Sequence, residues 1–169
     1  MAHSIELLFD NETEAAIRRI WDDLANADRP SKKPVGRPHV TLIAAQRINA
    51  DVDDLLVPIA RRLPLRCAVG APVLFGRTDV VFARLVVPSS ELLDLHAEVH
   101  RLCGPHLVPG LMPNSLPGQW TAHVTLARRV AGPHLGHAVR IAGQPGQLDG
   151  SFAGLRRWDG DQRVEHEIS

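Results

Sequence analysis

The alternation of apolar and polar positions divides the chain into short strands and amphipathic helices. Ile5, Leu7 and Phe9 alternate with Glu6, Leu8 and Asp10, the period-two pattern of a strand with one strongly apolar face. Asn11 stands three residues before Glu14, a capping-box-like start, and Ala16, Ile17, Ile20, Trp21 and Leu24 follow at helical spacing. A Pro-rich, basic loop is predicted over 28–38 and a strand over 39–45. Asp51 is placed to cap a helix whose stripe is Val52, Leu55, Leu56, Ile59 and Leu63, with Pro58 kinking it or confining it to short pieces. Residues 65–87 read as three strands, 65–69, 73–75 and 80–87, with a turn at 76–79. Ser89 or Ser90 caps a helix built on Leu92, Leu95, Val99 and Leu102, which Gly104 and Pro105 stop. A second Pro/Gly-rich loop covers 105–119, a strand 121–130, a short helix 133–142, and two tail strands, 152–158 and 163–168, meet at an Asp159-Gly160 turn. Strands mixed with helices and hairpins predict an α+β fold with mainly antiparallel sheets.

Composition narrows the partners. At 169 residues, 44% apolar and 22% charged, the chain reads as one globular domain over 1–169. Lys+Arg and Asp+Glu balance at 19 each, which argues against long nucleic acid held by bulk charge and favours a small nucleotide or an RNA end, with the protein acting as a monomer. Cys67 and Cys103 stand among apolar neighbours in no CxxC pattern, as buried free thiols of a reducing compartment do. The first residues lack a basic segment followed by an apolar core, and no apolar run approaches the ~18 residues of a membrane span. A cytoplasmic protein with no membrane partner is expected.

One tetrapeptide occurs twice, as His39-Val40-Thr41-Leu42 and His123-Val124-Thr125-Leu126. Each copy follows a Pro/Gly-rich loop, starts a predicted strand and has a strand–helix unit upstream, which points to two similar lobes. In a strand, residues two apart share a face. His and Thr then look one way while Val and Leu bury themselves on the other. Two such strands around one cleft would supply two imidazoles and two hydroxyls, the set that phosphodiester cleavage needs. One neutral imidazole takes a proton from the nucleophile, and one protonated imidazole gives a proton to the leaving oxygen. The hydroxyls of Thr41 and Thr125 can donate to non-bridging phosphate oxygens. The scheme calls for no metal and no cofactor.

These paired motifs resemble those of the 2H phosphoesterase superfamily, particularly its 2′-5′ RNA ligase-like branch, and the resemblance covers essentially the whole chain. It implies a bilobal, pseudo-two-fold α+β fold, with two mainly antiparallel sheets facing a central cleft and helices outside. It implies hydrolysis of 2′,3′-cyclic or 2′-5′ phosphodiesters of nucleotides or RNA ends, or reversible 2′-5′ RNA joining. His39 and His123 would be the catalytic pair, and Thr41, Thr125 and Arg128 would bind the substrate phosphate. Simple alternation puts Arg128 opposite His123, so the strand must end, twist or bulge before it; Arg129 is the alternative on the cleft-facing parity.

Other signals carry plainer readings. The chain has no tyrosine, and Phe9, Phe75, Phe82, Trp120 and Trp158 are the candidates for base stacking. Trp21 reads as core, and Trp120 as core or substrate contact. Lys32, Lys33 and Arg37 either steer a phosphorylated substrate or lie on a solvated loop, and the 105–119 loop is a lid or a rigid connector. His96, His100 and His106 could form a metal site, which would make a metallohydrolase; as ordinary histidines they belong at the surface or its boundary. His3, His134, His137 and His166 read as surface residues. A nucleotide-binding module on the same fold, catalytically idle, is the other alternative.

Overall fold

Every residue of β1 (His3–Phe9) is buried, so both faces of this strand are covered and not the apolar one alone. The computed structural model describes residues 2–27, 31–108 and 115–169. Asp10, not Asn11, caps α1 (Asn11–Ala25): its carboxylate accepts from the Thr13 amide at 2.7 Å. The first motif lies on β2 (His39–Ala45), and β3 (Arg47–Ile48) comes next. Pro58 acts as expected, and the next helical stretch is two single turns, α2 (Val52–Leu55) and α3 (Val57–Ala60). Asp51 stands before α2 without a side-chain capping bond.

Two of the predicted strands are one: β4 runs without a break over Leu65–Phe75. Its register against β5 (Asp79–Val86) shifts between Val69 and Pro72, the kind of irregularity where a strand tolerates proline. The fully buried Arg84 of β5 serves this stretch, donating to the carbonyls of Val69 and Gly70 and also to those of Ala142 and Gly146. Ser89 caps α4 (Ser90–Cys103) through the Leu92 amide. β6 (Leu107–Val108) pairs with β3 in a small second sheet. The second motif opens β7 (His123–Ala131), followed by α5 (Leu135–Ala142), β8 (Leu148–Asp159) and β9 (Val164–Ile168).

The seven main strands form antiparallel pairs in the order β2-β1-β8-β4-β5-β7, with β9 on β8. β8 joins the two halves. One of its edges pairs with β1, while on the other its first half pairs with β4 and its second half with β9. The two ends of this order, β2 and β7, approach each other, so the sheet curls and brings the motif strands side by side. Helices cross between halves: α1 packs on β7, β8 and α5, and α4 packs on β2. The core gathers Ile17, Trp21, Val40, Leu42, Phe82, Leu95, Val124 and Phe152 into one cluster. The fold is α+β and mainly antiparallel, as the pattern predicts. Both cysteines are free thiols, Cys103 buried and Cys67 partly so, and burial pushes each up to about 12. Among the described residues no helix is long and apolar enough to cross a membrane.

Candidate active site

The same irregularity occurs in both motif strands. β1 and β2 pair Glu6 with Thr41 but Ile5 with Ile43, which leaves Leu42 as the extra residue of a bulge. β5 and β7 pair Ala83 with Thr125 but Phe82 with Ala127, which leaves Leu126 in the equivalent place. Consecutive apolar residues, Leu42-Ile43 and Leu126-Ala127, are therefore buried together. An indole serves each site: Trp120 Nε1 donates to the Thr41 carbonyl at 3.1 Å, and Trp21 Nε1 donates to the Thr125 carbonyl at 3.0 Å. Each bulge also reverses the parity of the residues beyond it. Ala127 turns inward beside Phe82, and Arg128 turns to the face that carries His123 and Thr125. Arg129 stands at φ 54, in a second irregularity before Val130 returns to register. The fifth position after the histidine is a cation in one half only, because its counterpart in the first motif is Ala44.

The two histidines are held alike. His39 Nδ1 lies 2.8 Å from the Arg37 carbonyl, and His123 Nδ1 lies 2.7 Å from the Thr121 carbonyl. A carbonyl can only accept, so Nδ1 carries a proton in both rings and Nε2 is the atom left for chemistry. Thr41 and Thr125, both half-buried, share the strand faces of His39 and His123. The surroundings of the two rings differ. His123 has Phe75 against it, ring centroids 4.6 Å apart. Burial pulls it below the usual histidine range, helped by the charges of His39 and Arg128 and opposed by the Thr121 carbonyl. His39 has a carboxylate at hand, with Glu6 Oε1 3.5 Å from Nε2. The buried Glu6 is held by Ser4 Oγ at 2.6 Å and by Arg156 at 2.7 Å. Glu6, His39 and Arg128 line one cleft of about 690 Å³ together with Lys32, Arg156 and Trp158.

Two imidazoles that interact electrostatically and two flanking hydroxyls are the set that the repeated motif anticipates, and Arg128 acts by its charge on His123 and lines the cleft with His39. The family model of the 2′-5′ RNA ligase superfamily matches residues 9–161, nearly the whole chain. The chain belongs to that superfamily. Among solved structures it is similar to TT0787 of Thermus thermophilus, with 19% identity and a TM-score of 0.59 over 100% of this chain and 96% of that one. It is also similar to Kluyveromyces marxianus Usb1, with 10% identity and a TM-score of 0.56 over 99% and 97% of the two chains. The same protein with uridine monophosphate gives a TM-score of 0.55 at 10% identity over the same shares. At these identities the likeness is one of fold. No curated protein matches the sequence.

Within this 2′-5′ RNA ligase superfamily member, several sequence readings change. Phe9 and Phe82 are core, and Trp120 is stacked face to face on His96 at 3.8 Å, which leaves Trp158 lining the cleft and Phe75 against the His123 ring. His96 is buried, not peripheral. Burial, with His100 beside it, pulls it down to about 4, and Nε2 has no hydrogen-bond partner among the described residues. His100 Nε2 lies against the Leu42 carbonyl at 3.1 Å. The ligand atoms of His96, His100 and His106 form no cluster among the described residues, so the metallohydrolase alternative loses its site. The group that does cluster is His3, Asp159 and Asp161. His3 is buried, contrary to its reading as a surface residue. Its Nδ1 accepts from the Ile48 amide at 3.3 Å, so the proton sits on Nε2, which faces Asp161 at 3.1 Å and Asp159 at 3.3 Å. That proton fills the position a metal would need.

Lys33 and Arg37 are engaged with carboxylates, Lys33 with Asp22 and Arg37 with Glu14, Glu165 and Glu167. The central part of the 105–119 loop lies outside the described residues. Sequence reading passed over Glu6, Arg156 and Arg163, although it counted Trp158 among the candidates for base stacking. Glu6 was the most visible, a carboxylate within an apolar strand, and Arg156 and Trp158 stand two apart on one strand face.

Proposed function

We propose that the protein hydrolyses cyclic or 2′-linked nucleotide phosphodiesters, with His123 as general base and His39 as general acid. The observation that carries this is the contrast between two rings held in the same way. Both have Nδ1 on a backbone carbonyl, yet one is depressed by burial and by neighbouring cations while the other faces a carboxylate. The neutral His123 takes a proton from water at Nε2 as the water oxygen attacks phosphorus. The phosphorus–oxygen bond to the ribose breaks, and His39 Nε2 gives its proton to the departing oxygen. Glu6 is complementary to the imidazolium that His39 must be beforehand. Thr41, Thr125 and Arg128 hold the non-bridging oxygens as their charge redistributes. With an RNA 5′ hydroxyl in place of water as the nucleophile, the same steps in the same direction join a 2′-5′ bond, which is consistent with membership of the superfamily. An idle binding module has no evident use for two imidazoles set in opposite electrostatic surroundings.

The test is turnover of 2′,3′-cyclic nucleotides, and of RNA ending in such a group, with EDTA present. His39→Ala and His123→Ala should each lower kcat by about 10²–10⁴-fold while circular dichroism stays native. The pH–rate profile should be bell-shaped, with its acid limb below the ordinary histidine value of about 6.5 because His123 titrates below the usual range. Undiminished turnover in either variant would refute the mechanism.

A further inference from the structure

We propose that Arg37 is a positioning residue for His39: its carbonyl fixes Nδ1 of the ring, and its guanidinium, through Glu165 and Arg156, steadies the Glu6 carboxylate that faces Nε2. This rests on the reaction proposed above and adds to it a residue that does not line the cleft.

The contacts of Arg37 close a circuit. Its Nε donates to Glu14 Oε1 on α1 at 3.1 Å, and its Nη1 lies 3.7 Å from Glu165 Oε2 and 3.8 Å from Glu167 Oε1. Glu165 and Glu167 stand two apart on β9 and so share a face of that strand. A guanidinium with carboxylates from α1 and β9 around it has no charge to spare for a substrate phosphate. Glu165 Oε2 also accepts from Arg156 Nη1 at 2.7 Å, and Arg156 holds Glu6 Oε2 at 2.7 Å. Glu6 Oε1 is 3.5 Å from His39 Nε2, and His39 Nδ1 donates to the Arg37 carbonyl at 2.8 Å. The path that leaves Arg37 by its side chain therefore returns to it through the imidazole. The backbone at this point is constrained on both sides. Gly36 turns the chain at φ 86, a conformation open to glycine, and Pro38 restricts the residue before it.

The other half of the molecule lacks this circuit. Glu6 pairs with Thr41, and the residue that pairs with Thr125 is Ala83, so alanine stands where the carboxylate would be. The carbonyl that holds His123 belongs to Thr121, an exposed and uncharged residue. The difference follows from what each ring does. A base needs one free lone pair. An acid uses both N–H groups, one on the carbonyl and one aimed at the departing oxygen, so a ring that swings loses its aim. Stability is not what the circuit supplies. Arg37 and Glu165 are 31% and 38% exposed, and ion pairs so open to water add little to folding.

The experiment measures kcat, KM and Tm of Arg37→Ala and Arg37→Lys on a nucleoside 2′,3′-cyclic phosphate. Arg37→Ala should lower kcat about 10–100-fold with KM within about twofold, and Tm should stay within a few degrees of wild type. Lysine keeps the charge but not the planar fork that spans Glu14 and Glu165, so Arg37→Lys should lose most of the same factor. A wild-type kcat in Arg37→Lys, or a loss confined to KM, overturns the proposal and makes Arg37 a steering charge. A large fall in Tm accompanying the loss overturns it in favour of a structural role. In a His39→Ala background, Arg37→Ala should change kcat by less than about twofold, because the group it positions is gone; a further tenfold loss places its action elsewhere. Wild-type turnover in His39→Ala alone is the failure of the reaction proposed above and not of this inference. Nitrogen-15 spectra of the neutral rings test the inference whether or not any substrate is turned over. Wild-type His39 should appear as the Nδ1–H tautomer that its carbonyl contact requires, and in Arg37→Ala its two nitrogen shifts should converge as the ring samples both tautomers. An unchanged His39 spectrum in that variant overturns the positioning role.

Discussion

A histidine on a strand is a neutral fact until its two nitrogens are followed. In His39 and His123, Nδ1 is spent on a carbonyl two residues upstream, so each imidazole has Nε2 alone left for chemistry. His96 shows the opposite fate of the same side chain. It is stacked on Trp120, sealed from water, and held down to about 4 by burial first and by His100 second. The unfolded chain therefore binds a proton that the folded protein does not accept, over the interval from the ordinary histidine value of 6.5 down to about 4. Stability falls as pH drops through that window, on the order of 3 kcal/mol from this ring. His100, shifted in the same direction by burial, adds to the loss. Denaturant unfolding from neutral pH down to about pH 4.5 should show the decline, and His96→Phe should flatten it; an unchanged slope in the variant would assign the loss to other groups.

Within single elements, the β-bulge does most to shape the site. One extra residue in β2 and one in β7 put two apolar side chains in succession into the core and turn Arg128 toward the cleft. Such a bulge interrupts the ladder, and each indole meets a motif carbonyl there from the opposite half of the molecule: Trp21 on α1 serves β7, and Trp120 serves β2. Trp21→Phe and Trp120→Phe keep most of the ring volume and delete the donor. Each should lower stability by about 1–3 kcal/mol, the cost of leaving a partly buried carbonyl without its partner. Each should also reduce turnover, because the bulge positions the motif threonine. Thermal unfolding of the two variants measures the first effect, and wild-type stability in both would mean that the indoles are packing groups only.

In the whole molecule, β8 makes the halves inseparable. It is the inner strand shared by β1 on one edge and by β4 and β9 on the other, and α1 descends onto it at Gly150. A Cβ at Gly150 would meet Thr13 Oγ1, on the first turn of α1. Gly150→Ala should therefore force α1 away from β8 and cost about 1–3 kcal/mol, or roughly 3–10 °C in Tm. Because the strand belongs to both halves, unfolding should remain a single transition in wild type and variant. Two resolved transitions by calorimetry would show that the halves melt independently.

The repeated His-Val-Thr-Leu stretch, the order of strands and helices, and the antiparallel character could be read along the chain, because alternation and capping are local properties of neighbouring residues. The pairing of His39 with His123 could be anticipated from the repeat, although no spacing along the chain states that the sheet curls to bring β2 beside β7. Single periodic rules failed where tertiary packing overrode them. The 65–75 stretch looked like two strands until Arg84 supplied donors to its irregular middle. Arg128 had the wrong parity until the bulge at Leu126 corrected it. His3 and His96 looked peripheral until helices and turns from distant segments closed over them. Glu6 gave no sign of facing His39, since Glu6, Arg156 and His39 stand on three different strands. Which side chains are suited to the chemistry, and on which kind of element each stands, is already written in the order of amino acids. Which imidazole is desolvated and which meets a carboxylate emerges from the folded chain alone, because burial and field depend on segments far away in sequence.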